Sequence, residues 1–246
     1  MEVSTVIREN KTSSSRFIGE KIMSTKPIAV VTLSGGMDSA VCTGLAIEMG
    51  FEVAALHLNY GQRTQDKELQ AFNNICEHFN IKKKLVVDIS YLTSIGGSSL
   101  TDHTIAVEKN FHSDVDIPKT YVPFRNANIL AIATSWAEVL NASAVFIGAV
   151  QEDGSGYPDC REVFFQAFQQ TINTGTKPTT TIQILTPLLH LNKKEIVLTG
   201  DSIEVPFQFT WSCYDHSEKA CGECDSCRLR LRGFREASIK DPIEYQ

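Results

Sequence analysis

A short segment rich in serine and glycine, residues 34–39, combines the residue types that bind phosphate. Gly35 and Gly36 let the backbone approach a ligand closely, so that successive amide groups can point at an anion. Asp38 adds a carboxylate, the type of ligand that Mg²⁺ takes when it is bound to a polyphosphate. An ordinary tight turn is the alternative, because Ser-Gly-Gly is also a common turn sequence.

Regular elements are predicted on both sides of this segment. Residues 28–33 form an apolar segment with one threonine, Thr32, which is typical of a buried parallel strand. After the segment, apolar side chains recur at helical spacing as far as Met49, and Gly50 stands where a helix C-terminal cap is expected. A strand that turns into a helix N-terminus directs amide groups and the helix dipole toward an anion. The flanking elements therefore favour a phosphate-binding loop over a simple turn.

The segment differs from two common phosphate-binding motifs. No Gly-Lys-Ser/Thr follows at the Walker A distance, and the spacing is not that of the dinucleotide motif Gly-x-Gly-x-x-Gly. The segment resembles instead the PP-loop of the ATP pyrophosphatases, which adenylate a carbonyl or carboxylate oxygen and release pyrophosphate. This resemblance implies nucleotidyl transfer from ATP with Mg²⁺, and it leaves the acceptor open.

A second group of residues suited to chemistry lies near the C-terminus. Cys213, Cys221, Cys224 and Cys227 have the spacing C-x7-C-x2-C-x2-C. Four thiolates suit one tetrahedral Zn²⁺ and leave no open coordination position, so the predicted metal is structural. An iron–sulfur cluster and a redox dithiol are the alternatives, because short Cys-x-x-Cys runs serve both. The clustering favours a metal over disulfides.

Length and charge limit the classes of protein that the chain can belong to. At 246 residues it can form one sizeable α/β domain with a small appendage. The formal net charge of −6 argues against a broad nucleic-acid-binding surface. No apolar run is long enough to span a bilayer, and the polar N-terminus lacks a signal-peptide core, so a cytoplasmic protein is expected. We expect a flexible tail over 1–25, the main domain over 26–205 and a zinc-binding subdomain over 206–246.

The elements that position these residues alternate between strands and helices. Strands are predicted at 28–33, 53–58, 85–89, 144–148 and 182–186. Helices are predicted directly after Asp38 and at 66–79, 126–140, 161–174 and 193–199. This alternation predicts a doubly wound, mostly parallel five-stranded sheet, and residues 90–119 are expected to form a long loop. The loops after strands one, two and four should face one cleft, because ligands bind at the carboxyl ends of such strands.

Three further segments restrict the choice of protein family: Asn59–Arg63, Tyr121–Asn126 and Gly154–Arg161. Together with the PP-loop-like segment and the cysteines, they closely resemble the 7-cyano-7-deazaguanine synthase (QueC) family in the same order over 26–234. The resemblance implies an enzyme that converts 7-carboxy-7-deazaguanine, ATP and ammonia to a nitrile on the way to queuosine. No glutaminase-like segment is evident, so ammonia is expected to arrive free or from a partner.

The resemblance also assigns the ATP site. Residues implied to bind ATP are Leu33, Ser34, Gly35, Gly36, Met37, Asp38, Ser39 and Gly148. Asp38, Arg125 and Lys193 are the implied catalytic residues. The implied place of Lys193 is beside the polyphosphate, and a solvated lysine at a helix start is the less favoured alternative.

The implied substrate site draws on the three further segments. Its residues are Tyr60, Gln62, Arg63, Arg125, Asn126, Gly156, Tyr157, Asp159 and Arg161. A guanidinium at Arg125 suits a carboxylate or the α-phosphate. We expect Asp159 to accept two N–H bonds from the guanine-like edge and Tyr157 to stack on the base. Without the resemblance, residues 155–159 read as a plain turn.

One departure from the family pattern is Phe124, which stands where the family usually has a small residue. Its ring could narrow the cleft or supply a different stacking surface. An alternative is therefore a specialised family member that activates the same acid but transfers it to another acceptor, such as a protein amine. Two other interpretations are a PP-loop enzyme that modifies a base within tRNA and a non-enzymatic nucleotide-binding zinc module. The expected partners are small molecules, and a homodimer is one expected assembly.

Overall fold

A computed structural model describes residues 26–107, 117–151 and 156–246. The predicted tail over 1–25 lies outside these residues. Gly154 and Ser155 of the third family-like segment also lie outside them.

The centre of the described structure is a five-stranded parallel sheet. Its strands are β1 Ile28–Thr32, β2 Glu52–Asn59, β3 Lys83–Asp88, β4 Ala144–Ile147 and β5 Gln183–Leu185. They are arranged in the order β3-β2-β1-β4-β5, and every neighbouring pair is parallel. The predicted doubly wound parallel sheet is therefore confirmed, with the change of direction between β1 and β4.

Helices follow most of the strands. They are α1 Met37–Glu48, α2 Gln65–His78, α3 Tyr91–Ile95, α4 Arg125–Leu140, α5 Glu162–Gly175, α6 Lys193–Ser202 and α7 Asp225–Glu236, with 3₁₀ turns at Pro158–Cys160 and Phe207–Phe209. Two of these helices were not expected. The short helix α3 interrupts the predicted loop, and α7 follows directly from the cysteine cluster, where arginines between the apolar residues hide the helical pattern. None of the helices in these three ranges has the length and apolar character needed to cross a membrane.

The two faces of the sheet form two apolar cores, because successive strand residues point in opposite directions. Val31 on β1 packs in the core that contains α1, α2, α6 and α7, whereas Val30 packs in the core that contains α4 and α5. A third, smaller cluster joins Trp211 and the cysteines to Ala71 on α2. The C-terminal segment is thereby anchored close to the carboxyl ends of the strands.

Candidate active site and metal centre

The segment 34–39 forms the end of the loop between β1 and α1 and the first residues of α1, as predicted. The Gly36 amide donates to Ser34 Oγ over 3.2 Å, and the Ser34 and Ser39 hydroxyl oxygens lie 3.0 Å apart. Ser39 also donates to the Gly36 carbonyl over 2.9 Å. Since α1 begins at Met37, the loop presents its hydroxyl groups and the first helical amides at the carboxyl edge of the sheet.

Two glycines allow this loop to pack closely against its neighbours. Gly35 has a φ of +93°, and a Cβ at this position would lie 2.5 Å from the Glu68 carbonyl oxygen on α2. A Cβ at Gly148, just after β4, would lie 3.0 Å from the Asp38 carbonyl carbon and oxygen. A larger residue at either site would push the loop away from α2 or from the end of β4.

Asp38 and Lys193 form an ion pair inside the site. Lys193 Nζ lies 2.8 Å from Asp38 Oδ2, and the lysine is only 7% exposed. The local fold places Lys193 at the first position of α6, behind a capping box formed by Asn192 and Glu195. Lys193 is therefore not a solvated lysine. Asp38 Oδ1 is buried and has no hydrogen-bond partner among the described residues, so it can accept a metal ion or a donor from a ligand.

A cavity of about 280 Å³ opens beside this ion pair. The ends of β1, β2 and β4 line it, which confirms that these three loops face one cleft. The predicted site residues that line it are Leu33, Ser34, Gly36, Met37, Asp38, Ser39, Tyr60, Arg125, Asn126, Gly148, Tyr157 and Lys193.

Arg125 and three tyrosines form the other end of the cavity. The Arg125 guanidinium lies 5.3 Å from the centre of the Tyr60 ring and donates to the Tyr60 hydroxyl over 3.2 Å. The Tyr157 hydroxyl is 2.8 Å from Thr120 Oγ1, and Tyr214 also lines this end. Burial raises the pKa of Tyr60 and Tyr157, so both remain neutral phenols. The result is a cationic group among aromatic rings, which suits a flat acid.

Six residues expected to contact the ligands do not line the cavity: Gly35, Gln62, Arg63, Gly156, Asp159 and Arg161. Arg63 instead donates to three carbonyl oxygens of the 99–105 loop, and Arg161 donates to the Pro158 carbonyl at the surface. Gly156 is exposed. Gln62 bridges the Tyr60 amide and the Glu68 carboxylate, so it supports the site without reaching into the cavity. Gly35 also lies behind the lining, against α2.

Asp159 has a different role from the one expected. Its Oδ2 accepts from the Asn126 backbone amide over 2.9 Å, and its carbonyl accepts from the Asn126 side chain over 2.9 Å. Asp159 therefore satisfies an amide in the first turn of α4 and holds Arg125 in place through the neighbouring residue. Because Asp159 does not line the cavity, its carboxylate is poorly placed to read a base.

Four sulfur atoms form the candidate metal centre. Sγ of Cys213, Cys221, Cys224 and Cys227 all lie within 4.8 Å of one another, and the Cys221 and Cys227 sulfurs are 3.9 Å apart. Backbone amides of Asp215, His216 and Cys221 point at the Cys213 sulfur. The predicted cysteine group is thus confirmed as one that could hold a metal ion, because amide donors favour thiolates.

Comparison with known proteins assigns the chain to a family. The profile described as "Queuosine biosynthesis protein QueC" matches residues 28–238. The chain belongs to the QueC family. This confirms the resemblance seen in the five sequence segments.

Close relatives of this QueC chain share one name. The protein named 7-cyano-7-deazaguanine synthase from Chlorobaculum parvum is 56% identical over 218 residues, which cover 89% of this chain and 96% of that protein. The protein of the same name from Chloroherpeton thalassium is also 56% identical with the same coverage. A solved 4-thiouridine synthetase–RNA complex with bound ATP is 15% identical, with a TM-score of 0.47, over 89% of this chain and 47% of that one. That similarity is too distant to inform function.

The departure from the QueC pattern at Phe124 has a structural context. Phe124 has a φ of +55°, the left-handed region that glycine adopts without strain, immediately before α4. Its side chain is 60% exposed, lies outside the cavity lining and packs against Phe164, with ring centres 6.2 Å apart. Of the two possibilities for this ring, narrowing of the cleft therefore does not occur in the described structure.

The sequence did not predict the residues that form one wall of the cavity. Trp211, Tyr214 and Arg230 from the cysteine-rich segment line the cavity, as does Glu68 on α2. Arg230 is fully buried and forms two hydrogen bonds with the Asp241 carboxylate, over 2.8 and 2.9 Å. The available signal was the position of Tyr214 directly after Cys213, because a residue beside a cysteine that could hold a metal would be fixed in space when a metal binds.

Proposed function

We propose that the chain converts 7-carboxy-7-deazaguanine and ammonia to 7-cyano-7-deazaguanine, using ATP. One observation carries this proposal: a single cavity joins the PP-loop, with its Asp38–Lys193 pair, to Arg125 and its tyrosines. An acyl adenylate needs both parts, because its phosphate and its acyl group react at one place. The printed name of the relatives from Chlorobaculum parvum and Chloroherpeton thalassium agrees with this proposal.

The first activation forms an acyl adenylate. A carboxylate oxygen of the substrate attacks the α-phosphorus of ATP, and the bond from that phosphorus to pyrophosphate breaks. Arg125 orients the carboxylate, while the loop hydroxyls and amides receive the phosphates. Lys193 offsets charge on the departing pyrophosphate. Asp38 Oδ1 suits Mg²⁺, which when bound neutralises polyphosphate charge.

The remaining steps form the nitrile. Ammonia attacks the acyl carbon, AMP leaves, and loss of a proton gives the amide. The amide oxygen then attacks a second ATP with loss of pyrophosphate, and departure of AMP with the remaining N–H protons leaves a carbon–nitrogen triple bond. The same residues position both activations, because each attacking oxygen is attached to the same carbon of the base.

We further propose that the four cysteines hold one structural Zn²⁺. Tetrahedral ligands at about 2.3 Å from zinc lie about 3.8 Å apart, and the Cys221 and Cys227 sulfurs are separated by 3.9 Å. A four-iron cluster is larger than a single metal ion, so the cysteine sulfurs that bind it lie further apart. The metal would fix Tyr214, which joins the zinc site to the cavity.

The acceptor is tested by release of pyrophosphate from ATP in three parallel reactions, containing 7-carboxy-7-deazaguanine, unmodified tRNA or no acceptor. Release that depends on the free acid is expected. Release that depends on tRNA, or that needs no acceptor, would contradict the proposal. A cytoplasmic location and a homodimer stay predictions, which cell fractionation and light scattering can check.

A further inference from the structure

Glu68 on α2 places a second carboxylate in the cavity, in addition to that of Asp38. Thr64 Oγ1 donates to its Oε1 over 2.8 Å, and Gln62 Nε2 donates to its Oε2 over 3.0 Å. Both oxygens are thus held in place, and each keeps a further lone pair for a ligand. Glu68 and Asp38 are the two carboxylates among the described residues that line the cavity.

Within the described part of the chain, no cation forms an ion pair with Glu68. Thr64 and Gln62 are neutral, and Glu68 forms none of the ion pairs found among residues 26–107, 117–151 and 156–246. Burial raises the pKa of Glu68 to about 7, against the hydrogen bonds from Thr64 and Gln62 and the positive charge of Arg125. A partly buried carboxylate with a raised pKa in a cavity is a candidate for binding a ligand that donates hydrogen bonds to it.

Glu68 and Arg125 line the same cavity. A chain of hydrogen bonds connects them: Arg125 donates to the Tyr60 hydroxyl, the Tyr60 amide donates to Gln62, and Gln62 donates to Glu68. Tyrosine rings lie in the same part of the cavity. The site therefore offers an anion-binding group, apolar ring surface and an acceptor of N–H bonds.

The 7-deazaguanine acid has the complementary arrangement. It carries a carboxylate on one ring and, on the opposite edge of the other ring, the N1–H and the exocyclic amine as adjacent donors. We propose that Glu68 recognises this amine-bearing edge while Arg125 receives the carboxylate. The inference rests on the proposed function, and it gives Glu68 the role that the sequence had suggested for Asp159.

Calorimetric titration of Glu68→Gln tests the proposal. An amide replaces one acceptor with a donor, which then faces a donor of the base. We expect affinity for the acid to fall roughly 10- to 100-fold, the range for lost hydrogen bonds to a charged group. Affinity for a non-hydrolysable ATP analogue should stay unchanged, which also shows that the variant is folded. Glu77→Gln, an exposed position on the same helix, is the matched control and should bind the acid normally.

A second ligand distinguishes loss of recognition of the amine-bearing edge from a general disturbance of the binding site. The acid that lacks the exocyclic amine should bind the unsubstituted protein more weakly than the parent acid, and Glu68→Gln should lose most of this discrimination. Equal discrimination in both proteins would overturn the inference. A variant that binds the acid normally and loses only affinity for ammonium would also overturn it, and would assign Glu68 to the nucleophile. Failure of the unsubstituted protein to bind the acid would instead refute the proposed function itself.

Discussion

Lys193 Nζ lies 2.8 Å from Asp38 Oδ2, although 155 positions separate the two residues in the chain. The contact joins the first turn of α6 to the phosphate loop after β1. Both groups are drawn out of bulk water, so their charges interact more strongly than on the surface. The pair leaves one Asp38 oxygen without a partner among the described residues, and this oxygen is the one that we assign to Mg²⁺.

Replacing Asp38 with Asn should slow adenylation far more than it weakens ATP binding. The loop keeps its amides and hydroxyls, whereas the metal loses a charged ligand beside the departing pyrophosphate. We expect turnover to fall roughly 100-fold or more. Steady-state kinetics and titration with an ATP analogue measure the two effects separately. The exposed Asp201→Asn is the control, and normal turnover in Asp38→Asn would show that the metal is held elsewhere.

Gly35 and Gly50 form a matched pair for testing the packing of the phosphate loop. Both have positive φ, +93° and +88°, but an added Cβ meets the Glu68 carbonyl oxygen at Gly35 and open space at Gly50. Gly50→Ala should cost about 1 kcal/mol of unfolding free energy and leave ATP binding intact. Gly35→Ala should in addition lower ATP affinity about tenfold or more. Equal ATP affinities in calorimetry would mean that the loop does not need its contact with α2.

Much of the fold could be predicted because its elements have local signatures. Segments rich in apolar residues marked all five strands, and the helix spacing after Asp38 marked α1. The helix α7 was missed because Arg228, Arg230 and Arg232 alternate with leucines, and burial of Arg230 depends on its distant partner Asp241. Pairing of that kind leaves no local pattern in the sequence.

The candidate site was predicted unevenly for the same reason. The phosphate loop and the cysteines are local motifs, and the structure brings each set together. The contact between Asp159 and Asn126 joins residues 33 positions apart, so a carboxylate that supports a helix looked like one that reads a base. The sequence did not mark Glu68 as a site residue, because its role depends on which face of α2 meets the cavity.

Asp159 should therefore affect stability rather than recognition of the acid. Asp159→Ala leaves the Asn126 amide without its acceptor, at an expected cost of about 1–2 kcal/mol in the free energy of unfolding. Asp159→Asn retains an oxygen acceptor and should bind the acid with unchanged affinity. Denaturant unfolding and calorimetry distinguish these effects. Weaker binding of the acid by a fully stable Asp159→Asn would return Asp159 to the role of reading the base.

The cysteine cluster should contain about one zinc per chain after anaerobic purification. Cys227→Ser should lose the metal and melt at a lower temperature, because three thiolates hold zinc less tightly and the 206–246 segment depends on the ion. Elemental analysis and thermal unfolding provide the two readouts. Stoichiometric iron with labile sulfide would contradict the assignment to zinc.

The most direct test of the proposed activity is the identity and stoichiometry of the products formed from 7-carboxy-7-deazaguanine, ATP and ammonium. Mass spectrometry with ¹⁵N-labelled ammonium should detect labelled 7-cyano-7-deazaguanine, and nucleotide analysis should find two AMP and two pyrophosphate for each nitrile. One AMP per product with the label in an amide would show that the reaction ends after the first activation. An acid that becomes attached to a protein amine instead, without incorporation of label, would contradict the account.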